Sequence, residues 1–445
     1  MKKTFRIGGV HPDDSKISAE AAIEIFPAIE TAYVSMAQHL GAPATPIVAA
    51  GDKVKVGQVI AEPSGFISGF VHSPVSGTVK SVGPRADIAG NMVQHVEITV
   101  EGDEWMEDID RSETIVKDIP FTPEEIIEKV KKAGIVGLGG ASFPTHVKLA
   151  PPKDKKAECL ILNGTECEPF LTSDDRIMRE HPQEILIGGA IMMKALGVTR
   201  GYVGIEENKP AAIASMKEAA KAFPQIEVVV LKKRYPQGGE KQLIDAVIRR
   251  QVPSGALPID TGAVVQNVGT SLAVYEAVQK NKPLIDNVIT VTGRCLPVQH
   301  NYKVRIGTPM SKILEVAGGV PEKAGKIISG GPMMGRAIAN LDAATVKANG
   351  AILVLTPEET RRRPESNCIR CAKCASACPM GLEPWLLNKL SRAGGLHAEL
   401  EKERVYDCIE CGCCSFTCPA GIPLLDMIRM SKAEVMKIMR SRPKK

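Results

Sequence analysis

The sequence predicts a multidomain α/β protein with a metal-binding end, and three observations carry that prediction. The chain has 445 residues, more than one ordinary hydrophobic core organises, so three or four domains are expected. Its texture changes along its length. Short strands and glycine turns over 40–100 give way to alternating helix and strand over 118–280, then to a second strand-rich stretch over 286–360. Finally, nine of its 12 cysteines crowd into two short runs beyond residue 367.

Composition excludes several function classes. Hydrophobic residues make up 44% and charged residues 24%, the balance of a soluble globular protein. Aromatics, at 4%, are too few to build a stacking surface for carbohydrate or single-stranded nucleic acid. A net charge of +5 with no basic stripe in the body of the chain argues against duplex DNA. No apolar run reaches the roughly 18 residues that a bilayer span needs; "ILIGGAIMM" (185–193) is closed off by Glu184 and Lys194. "MKKTFRIGGVHPDD" lacks the apolar core and cleavage site of a secretory signal. The expected setting is the cytosol or the cytosolic side of a membrane, where cysteines serve metals more often than disulfides.

Residues 1–105 form the first expected domain. In "TPIVAAGDKVKVGQVIAE" and "GFVHSPVSGTVKSVG" valine and isoleucine alternate with polar residues, and Gly51-Asp52 and Ser76-Gly77 mark turns. The pattern resembles the barrel-sandwich hybrid of biotinyl and lipoyl domains. The tip around "GFISGFVHSP" has no lysine to modify, so a scaffold is expected rather than a swinging-arm carrier. Residues 118–280 form the second. "FTPEEIIEKVKKAG" has Thr122 as N-cap, Pro123 in the first turn, Glu125 three residues on, and an apolar stripe of Ile126, Ile127 and Val130. "AECLILNG", "GYVGIEE" and "IEVVVLKK" fit buried parallel strands between helices, an α/β sandwich. Residues 286–360 form a third unit, ending in "ISGGPMMG". The hinge "TPEETRRRPES", whose Arg361, Arg362 and Arg363 read as a solvated linker, opens the last domain, 361–445. There "PLLDMIRMSKAEVMKIMRSRPKK" winds into a helix with Leu424, Leu425, Ile428 and Val435 largely on one side, suited to packing on the cysteine region.

The two cysteine runs align as Cys368-x2-Cys371-x2-Cys374-x3-Cys378-Pro and Cys408-x2-Cys411-x2-Cys414-x3-Cys418-Pro. Three cysteines at two-residue intervals wrap three irons of one cubane, and the fourth, at the start of the next helix, serves the other cluster. Cys368, Cys371, Cys374 and Cys418 are therefore assigned to one [4Fe–4S] centre, and Cys408, Cys411, Cys414 and Cys378 to a second. Zinc is the rival, but a structural zinc site takes four ligands, usually as two separated pairs, and leaves surplus thiolates here. Cys413 falls off the spacing and is read as a non-ligand; Cys159, Cys167 and Cys295 are read as small buried hydrophobes. Clusters carry single electrons, so something else must feed them.

A candidate source lies in "GIVGLGGASFPTHVKL" (134–149). Gly137, Gly139 and Gly140 follow a helix rather than a strand, so this is not a Rossmann fingerprint. Glycines nevertheless let a backbone lie flat against a planar ligand and offer free amides to a phosphate. "LILNGTECEPFLTSDDR" (160–176) runs from an apolar strand into Asn163, Glu166 and Glu168, and "VVQNVGTS" (264–271) into Gln266, Asn267 and Thr270. Carboxyl ends of strands in an α/β sheet are where ligands bind. Together these stretches suggest one polar-lined nucleotide pocket.

"GLGGASFPTHVKL", "LNGTECEP" and "QNVGT" resemble the flavin-binding elements of the NADH-oxidising subunit of respiratory complex I and of related diaphorases. With "ECEPFLTSDDR", "YPQGGEKQLI", "VPSGALPIDTGAVVQNVGT", "GTPMSKIL", "GGPMMG" and the twin cysteine motifs, the order resembles, over essentially the whole chain, the C subunit of the Rnf (Rsx) ion-translocating electron-transport complex. That resemblance implies a peripheral, cytosol-facing subunit of a translocase, exchanging electrons with NAD(H) through FMN and two [4Fe–4S] clusters. Other, membrane-embedded subunits would couple electron flow between NAD and ferredoxin to movement of Na⁺ or H⁺. It also implies roles by motif position. Gly137, Gly139, Gly140 and Lys148 cradle FMN; Asn163, Glu166, Glu168, Gln266, Asn267 and Thr270 complete the site. Phe143 offers a ring face to the dinucleotide, and Glu206 or Glu207 contacts a ribose. Residues 286–360 resemble the soluble-ligand-binding β-grasp unit of these families. Two positions depart from the complex I pattern: Thr165 stands where an acidic residue is usual, and Leu149 where an aromatic follows the lysine. A soluble flavin reductase like the cobalamin reductases, and a cluster-only carrier and docking scaffold, are the alternative readings.

Overall fold

The structure is a computed structural model and describes residues 2–442; the basic end of the expected C-terminal helix, residues 443–445, lies outside the described residues. A short strand, β1 (Ile23–Ile25), precedes seven more in the N-terminal third: β2 (Thr31–Ser35), β3 (Thr45–Pro46), β4 (Lys53–Val54), β5 (Val59–Glu62), β6 (Val71–His72), β7 (Gly77–Ala86) and β8 (Met92–Val100). They make two small sheets, β2-β8-β7-β4 and β3-β5-β6. The sequence alternation points Ala32, Val34, Ile60, Val79, Val96 and Ile98 into one core between them. The β5–β6 tip carries Phe66, which is 85% exposed, and no lysine. β1 leaves this unit and pairs in parallel with a strand of the 286–360 unit.

The middle of the chain is layered. α1 (Pro123–Lys132) starts where expected, with a full capping box between Thr122 and Glu125, a local arrangement contributing about 1 kcal/mol. A loop and α2 (Thr145–Leu149) lead to β9 (Cys159–Gly164), then α3 (Ser173–Glu180), α4 (Pro182–Leu196), β10 (Gly201–Glu206), α5 (Pro210–Ala220), β11 (Ile226–Leu231), α6 (Glu240–Ile248), β12 (Ala263–Asn267) and α7 (Val268–Gln279). The strands are all parallel, in the order β11-β10-β9-β12. Both faces are covered, which is why the strands read as unbroken apolar runs. One face packs Leu160, Leu162, Val203 and Ile205 on the larger helical layer, and the other packs Ile161, Val229 and Val265 on α6.

The third unit comprises β13 (Asp286–Thr292), β14 (His300–Arg305), α8 (Met310–Val316), β15 (Lys326–Ser329), β16 (Arg336–Ala337) and β17 (Ala351–Leu355), in one sheet ordered β1-β14-β13-β17-β15-β16. After α9 (Pro357–Thr360) the cysteine region is helical: α10 (Lys373–Ala377), α11 (Pro384–Ala393), α12 (His397–Lys402), α13 (Cys413–Thr417) and α14 (Leu424–Ser441). α14 buries Leu424, Leu425, Ile428 and Val435, the side expected from the sequence.

Two junctions hold the units together. Lys347 is buried, and its ammonium donates to the carbonyls of Phe70 (2.9 Å) and Gly134 (2.6 Å), tying the third unit to the barrel tip and to the start of the glycine loop. Burial pushes that amine down to about 7. Residues 3–10 form the second junction. They bridge to Leu231 and Tyr235 on the β11 side, and Gly9 N–H donates to Ala377 O at 2.9 Å in the cysteine region. A Cβ on Gly8 would lie 2.3 Å from Cys378 O, so only glycine fits there.

Candidate functional site

The parallel sheet has one topological switch point. The chain lays down β9, β10 and β11 outward in turn, then returns through α6 to place β12 on the other side of β9. In such sheets ligands bind in the crevice at the carboxyl ends of the strands beside the switch point, here those of β9 and β12. Asn163 and Asn267 face each other across it in register. Asn267 caps α7, accepting from Gly269 N (2.8 Å) and Thr270 N (3.3 Å), and donates to Asp174 Oδ2 at 2.7 Å.

The glycine loop arches over this crevice. Gly137 N–H donates to Phe143 O at 2.9 Å, closing the loop's foot, and Leu138 N–H donates to Thr270 Oγ1 at 2.9 Å, pinning it to α7. Gly139 then lies so close that a Cβ would come within 3.3 Å of Asn267 Cβ, whereas nothing stands within 4 Å of the same position on Gly140, whose φ is +120°. The result is a bare, exposed backbone edge above a polar floor. Next to Asn267 in β12, Gln266 is 3% exposed, and its Nε2 has no partner among the described residues. A buried amide donor without an acceptor is costly, and a ligand oxygen would satisfy it. Asn163 Nδ2 donates to Gly238 O (2.9 Å), bringing in the turn after β11. Lys148 sits at the β12 flank, donating to Glu240 Oε1 (2.7 Å) and Val265 O (3.1 Å).

The structure thus gathers Gly137, Gly139, Gly140, Asn163, Gln266, Asn267 and Thr270, with half-buried Phe143 at the loop's foot and Lys148 alongside. The four glutamates are engaged elsewhere. Glu166 accepts from Asp174 N (2.7 Å) and Asp175 N (3.2 Å), capping α3. Glu168 accepts from Met333 N (3.1 Å) and Met334 N (2.8 Å) in the "GGPMMG" turn; burial pushes its carboxyl up to about 7 against those two amides. Glu206 is buried against Lys209, 3.7 Å away, and Glu207 pairs with Lys2 at the surface. Lys16, which burial and the neighbouring Lys209 push down to about 8, donates to the carbonyls of Glu166, Glu168 and Leu171. The buried charges therefore brace the strand edge. Sequence reasoning missed Asp174, Gly238 and Tyr235; the signal available was "YPQGG", a tyrosine and two glycines directly after an apolar strand.

The cysteines divide into two sets. Cys378, Cys408, Cys411 and Cys414 line one cavity together with the off-spacing Cys413, walled by Leu382, Leu387, Leu425 and Ile428. Cys374 lies beside Cys418, and Ser366 N–H donates to Ala420 O at 2.9 Å, which holds the exposed loop bearing Cys368 and Cys371 next to it. Each fourth cysteine therefore sits with the other run. The two loops share one backbone: φ is +58° at both Arg370 and Glu410, and +57° and +79° at Ala372 and Gly412. Such alternation turns successive N–H groups inward, a nest suited to an anionic cluster. Among the described residues no three His, Cys, Asp or Glu side chains converge closely enough for a single metal ion; a cubane spreads its thiolates over four corners, which the cysteines around this cavity fit once Cys413 is turned to Tyr235. Burial pushes the Cys408 and Cys414 thiols up to about 11 and about 12, so they ionise readily only beside a compensating cation such as iron. Cys413 is fully buried, and its thiol points to Tyr235 O at 3.9 Å.

One turn joins the two sites. Tyr235 is 2% exposed and donates its hydroxyl to Cys411 O at 2.8 Å, three residues before Gly238 meets Asn163. Gln242 Nε2 adds a bond to Pro379 O at 3.2 Å.

Comparison with known proteins agrees with this layout. Residues 3–104 match the family described as the RnfC barrel sandwich hybrid domain, 130–276 the Nuo51 FMN-binding domain, 288–337 the SLBB domain, and 365–422 the 4Fe-4S dicluster domain. The C subunit of the proton-translocating ferredoxin:NAD(+) oxidoreductase complex of Clostridium ljungdahlii is 45% identical over 91% of this chain and 87% of its own length. The chain belongs to the C-subunit family of ion-translocating ferredoxin:NAD(+) oxidoreductase complexes. The Na(+)-translocating complex of Acetobacterium woodii has a C subunit 42% identical over 97% of both chains, and that of Rhodobacter capsulatus is 41% identical over 87% of this chain and 75% of its own. In this member of the C-subunit family the switch-point crevice falls wholly inside the FMN-binding match, and all eight motif cysteines fall inside the dicluster match. An NAD+-reducing [NiFe]-hydrogenase shares the fold at a TM-score of 0.50 and 18% identity, over 72% of this chain and 67% of that one.

Proposed function

We propose that this chain is the peripheral electron-transfer subunit of an ion-translocating oxidoreductase, exchanging electrons with NAD(H) through FMN and two [4Fe–4S] clusters. One observation carries the reading: a glycine loop at the sheet's switch point is tied, through the single turn 235–238, to a cavity lined by Cys378, Cys408, Cys411, Cys413 and Cys414. Bound there, FMN would accept a hydride and release electrons singly, and the clusters would carry them onward. The rest falls to this chain's residues.

Gly139 and Gly140 present amides to the flavin and its phosphate, while Gly137 closes the loop's foot on Phe143 O; Thr270 and Asn267 hold the loop at its working height, and Asn163 holds the 235–238 turn beside it. Gln266 donates its free amide to the ligand. Lys148, turned from Glu240, offers positive charge to the reduced ring or the phosphate. Phe143 gives the dinucleotide a ring face; of the two glutamates expected at a ribose, Glu206 is held inside by Lys209 and Glu207, at the surface with Lys2, is the one placed to reach it. Glu166 and Glu168 act as positioning residues for the edge. Cys368, Cys371, Cys374 and Cys418 hold one cluster; Cys408, Cys411, Cys414 and Cys378 hold the other. The domain limits 1–105, 118–280, 286–360 and 361–445, the lipoyl-like fold of the first and the β-grasp fold of the third belong to the same reading. So does a place on the cytoplasmic face of the membrane with other subunits and ferredoxin as partners; no helix among the described residues is long and apolar enough to cross a bilayer.

The test is anaerobic purification with iron, sulfide and flavin quantified together, followed by titration with NADH. Flavin bleaching accompanied by the low-temperature EPR signals of reduced cubanes is expected. Tetrahedral zinc in place of iron, or a flavin that NADH never bleaches, would refute it.

A further inference from the structure

The twin cysteine loops share a backbone but face different surroundings. In the second, Cys411, Cys413 and Cys414 are buried, with Tyr235 against them. In the first, every residue from 361 to 373 is exposed. Charge differs in the same sense. Residues 361–373 carry five basic side chains and one acidic, whereas the stretch in register with it, 401–413, carries four acidic and two basic. The one acid, Glu365, is neutralised by Arg392 at 2.7 Å. Arg361, Arg363, Arg370 and Lys373 have no carboxylate within ion-pair reach among the described residues, and Arg362 meets only the exposed Asp426 at 3.2 Å. Apolar groups accompany the charge. Ile369, next to Cys368, is 67% exposed; Phe416, two residues before Cys418, is 54% exposed; Trp385, whose backbone amide points at the Cys374 thiol, is 43% exposed.

We propose that this basic, apolar-centred face is where a second electron-carrying protein docks, and that the partner presents an acidic rim around its own redox centre. The inference rests on the reading that both motifs hold clusters. It orders them: the buried set, joined to Tyr235, exchanges with the nucleotide crevice, and the exposed set, Cys368, Cys371, Cys374 and Cys418, exchanges with the partner. One electron passes at the contact; the donor is oxidised by one, the acceptor reduced by one, and no bond or proton moves. Complementary charge speeds such encounters and fixes their orientation, and salt weakens it. An anionic membrane would also attract the arginines, but it has no use for thiolates at the centre of the patch.

The holoprotein, reconstituted and anaerobic, is mixed in stopped flow with a chemically reduced, acidic two-cluster ferredoxin as probe, across a salt series. Arg361→Glu with Arg363→Glu, both outside the cysteine motif, is compared with Lys153→Glu with Lys156→Glu, which makes the same charge change on the loop before β9, outside the residues of this face. The arginine pair is expected to slow transfer about tenfold at low salt, to converge with the wild type at about 1 M salt, and to leave NADH bleaching and both EPR signals intact. The lysine pair should change the rate less than about twofold. A salt-independent wild-type rate, an arginine pair that tracks the lysine pair, or binding to phosphatidylserine vesicles in preference to the ferredoxin would overturn the docking face while the function stands. A wild-type chain without cubane signals would overturn both.

Discussion

Gln266 makes the nucleotide reading testable at a single amide. Its buried Nε2 lacks an acceptor, so replacing it with an apolar side chain removes an unpaid desolvation cost of about 1–3 kcal/mol. Gln266→Leu is therefore expected to raise the melting temperature of the flavin-free protein and to lower flavin affinity; differential scanning fluorimetry with and without FMN reads both, and a fall in both would mean the amide is satisfied internally. The cysteines separate as sharply. Cys418→Ala should abolish the EPR signal of one cluster and leave the other, while Cys413→Ala, whose thiol faces Tyr235 O, should retain iron for two cubanes. Loss of a cluster on Cys413→Ala would mean that the spacing misidentified a ligand.

Among the elements, the latch between α7 and the third unit carries a pH dependence. Lys282 bridges Glu276 (2.9 Å) and Asp286 (3.0 Å), with Lys303 and Arg305 beside them. Burial alone would push Asp286 up, but the cations around it hold its carboxyl far below the ordinary range, and Glu276 is lowered in the same way. Folded values below the unfolded ones mean that the stabilisation is complete above about pH 4 and is lost as pH falls through the folded values. Asp286→Asn should cost roughly 3 kcal/mol at neutral pH, because it strands buried cations, and should flatten the acid limb of a stability–pH curve measured in urea; an unchanged acid limb would place that dependence elsewhere. What was legible in the sequence follows the same division between near and far. The Thr122 cap, the strands β9 to β11 and the buried side of α14 were readable because their signals lie within a few neighbouring residues. So was the placing of Cys378 with the second run and of Cys418 beside Cys374, which follows from the repeated spacing. The capping role of Glu166, the bond from Tyr235 to Cys411 and the transfer of β1 to another sheet were not, because each depends on a partner far along the chain that no local pattern names.

For the whole molecule, the cluster region and the α/β unit should melt separately. The former surrounds its cavity with Leu382, Leu387, Leu425 and Ile428, and emptying that cavity of iron removes the centre on which they pack. Calorimetry is expected to show a transition that chelation abolishes and a second that it leaves nearly in place; a single transition unmoved by chelation would contradict this. The clasp at Gly8 and Gly9 has a further consequence for biogenesis. Those glycines emerge from the ribosome long before Ala377 and Cys378 exist to receive them, and contacts so distant in sequence form late. The strip can lie along the edge of β11 first, and its final seat forms only once Ala377 and Cys378 are in place. A chain whose last region has yet to fold would therefore carry a loose segment at residues 3–10, a handle by which quality control could tell the immature protein from the finished one.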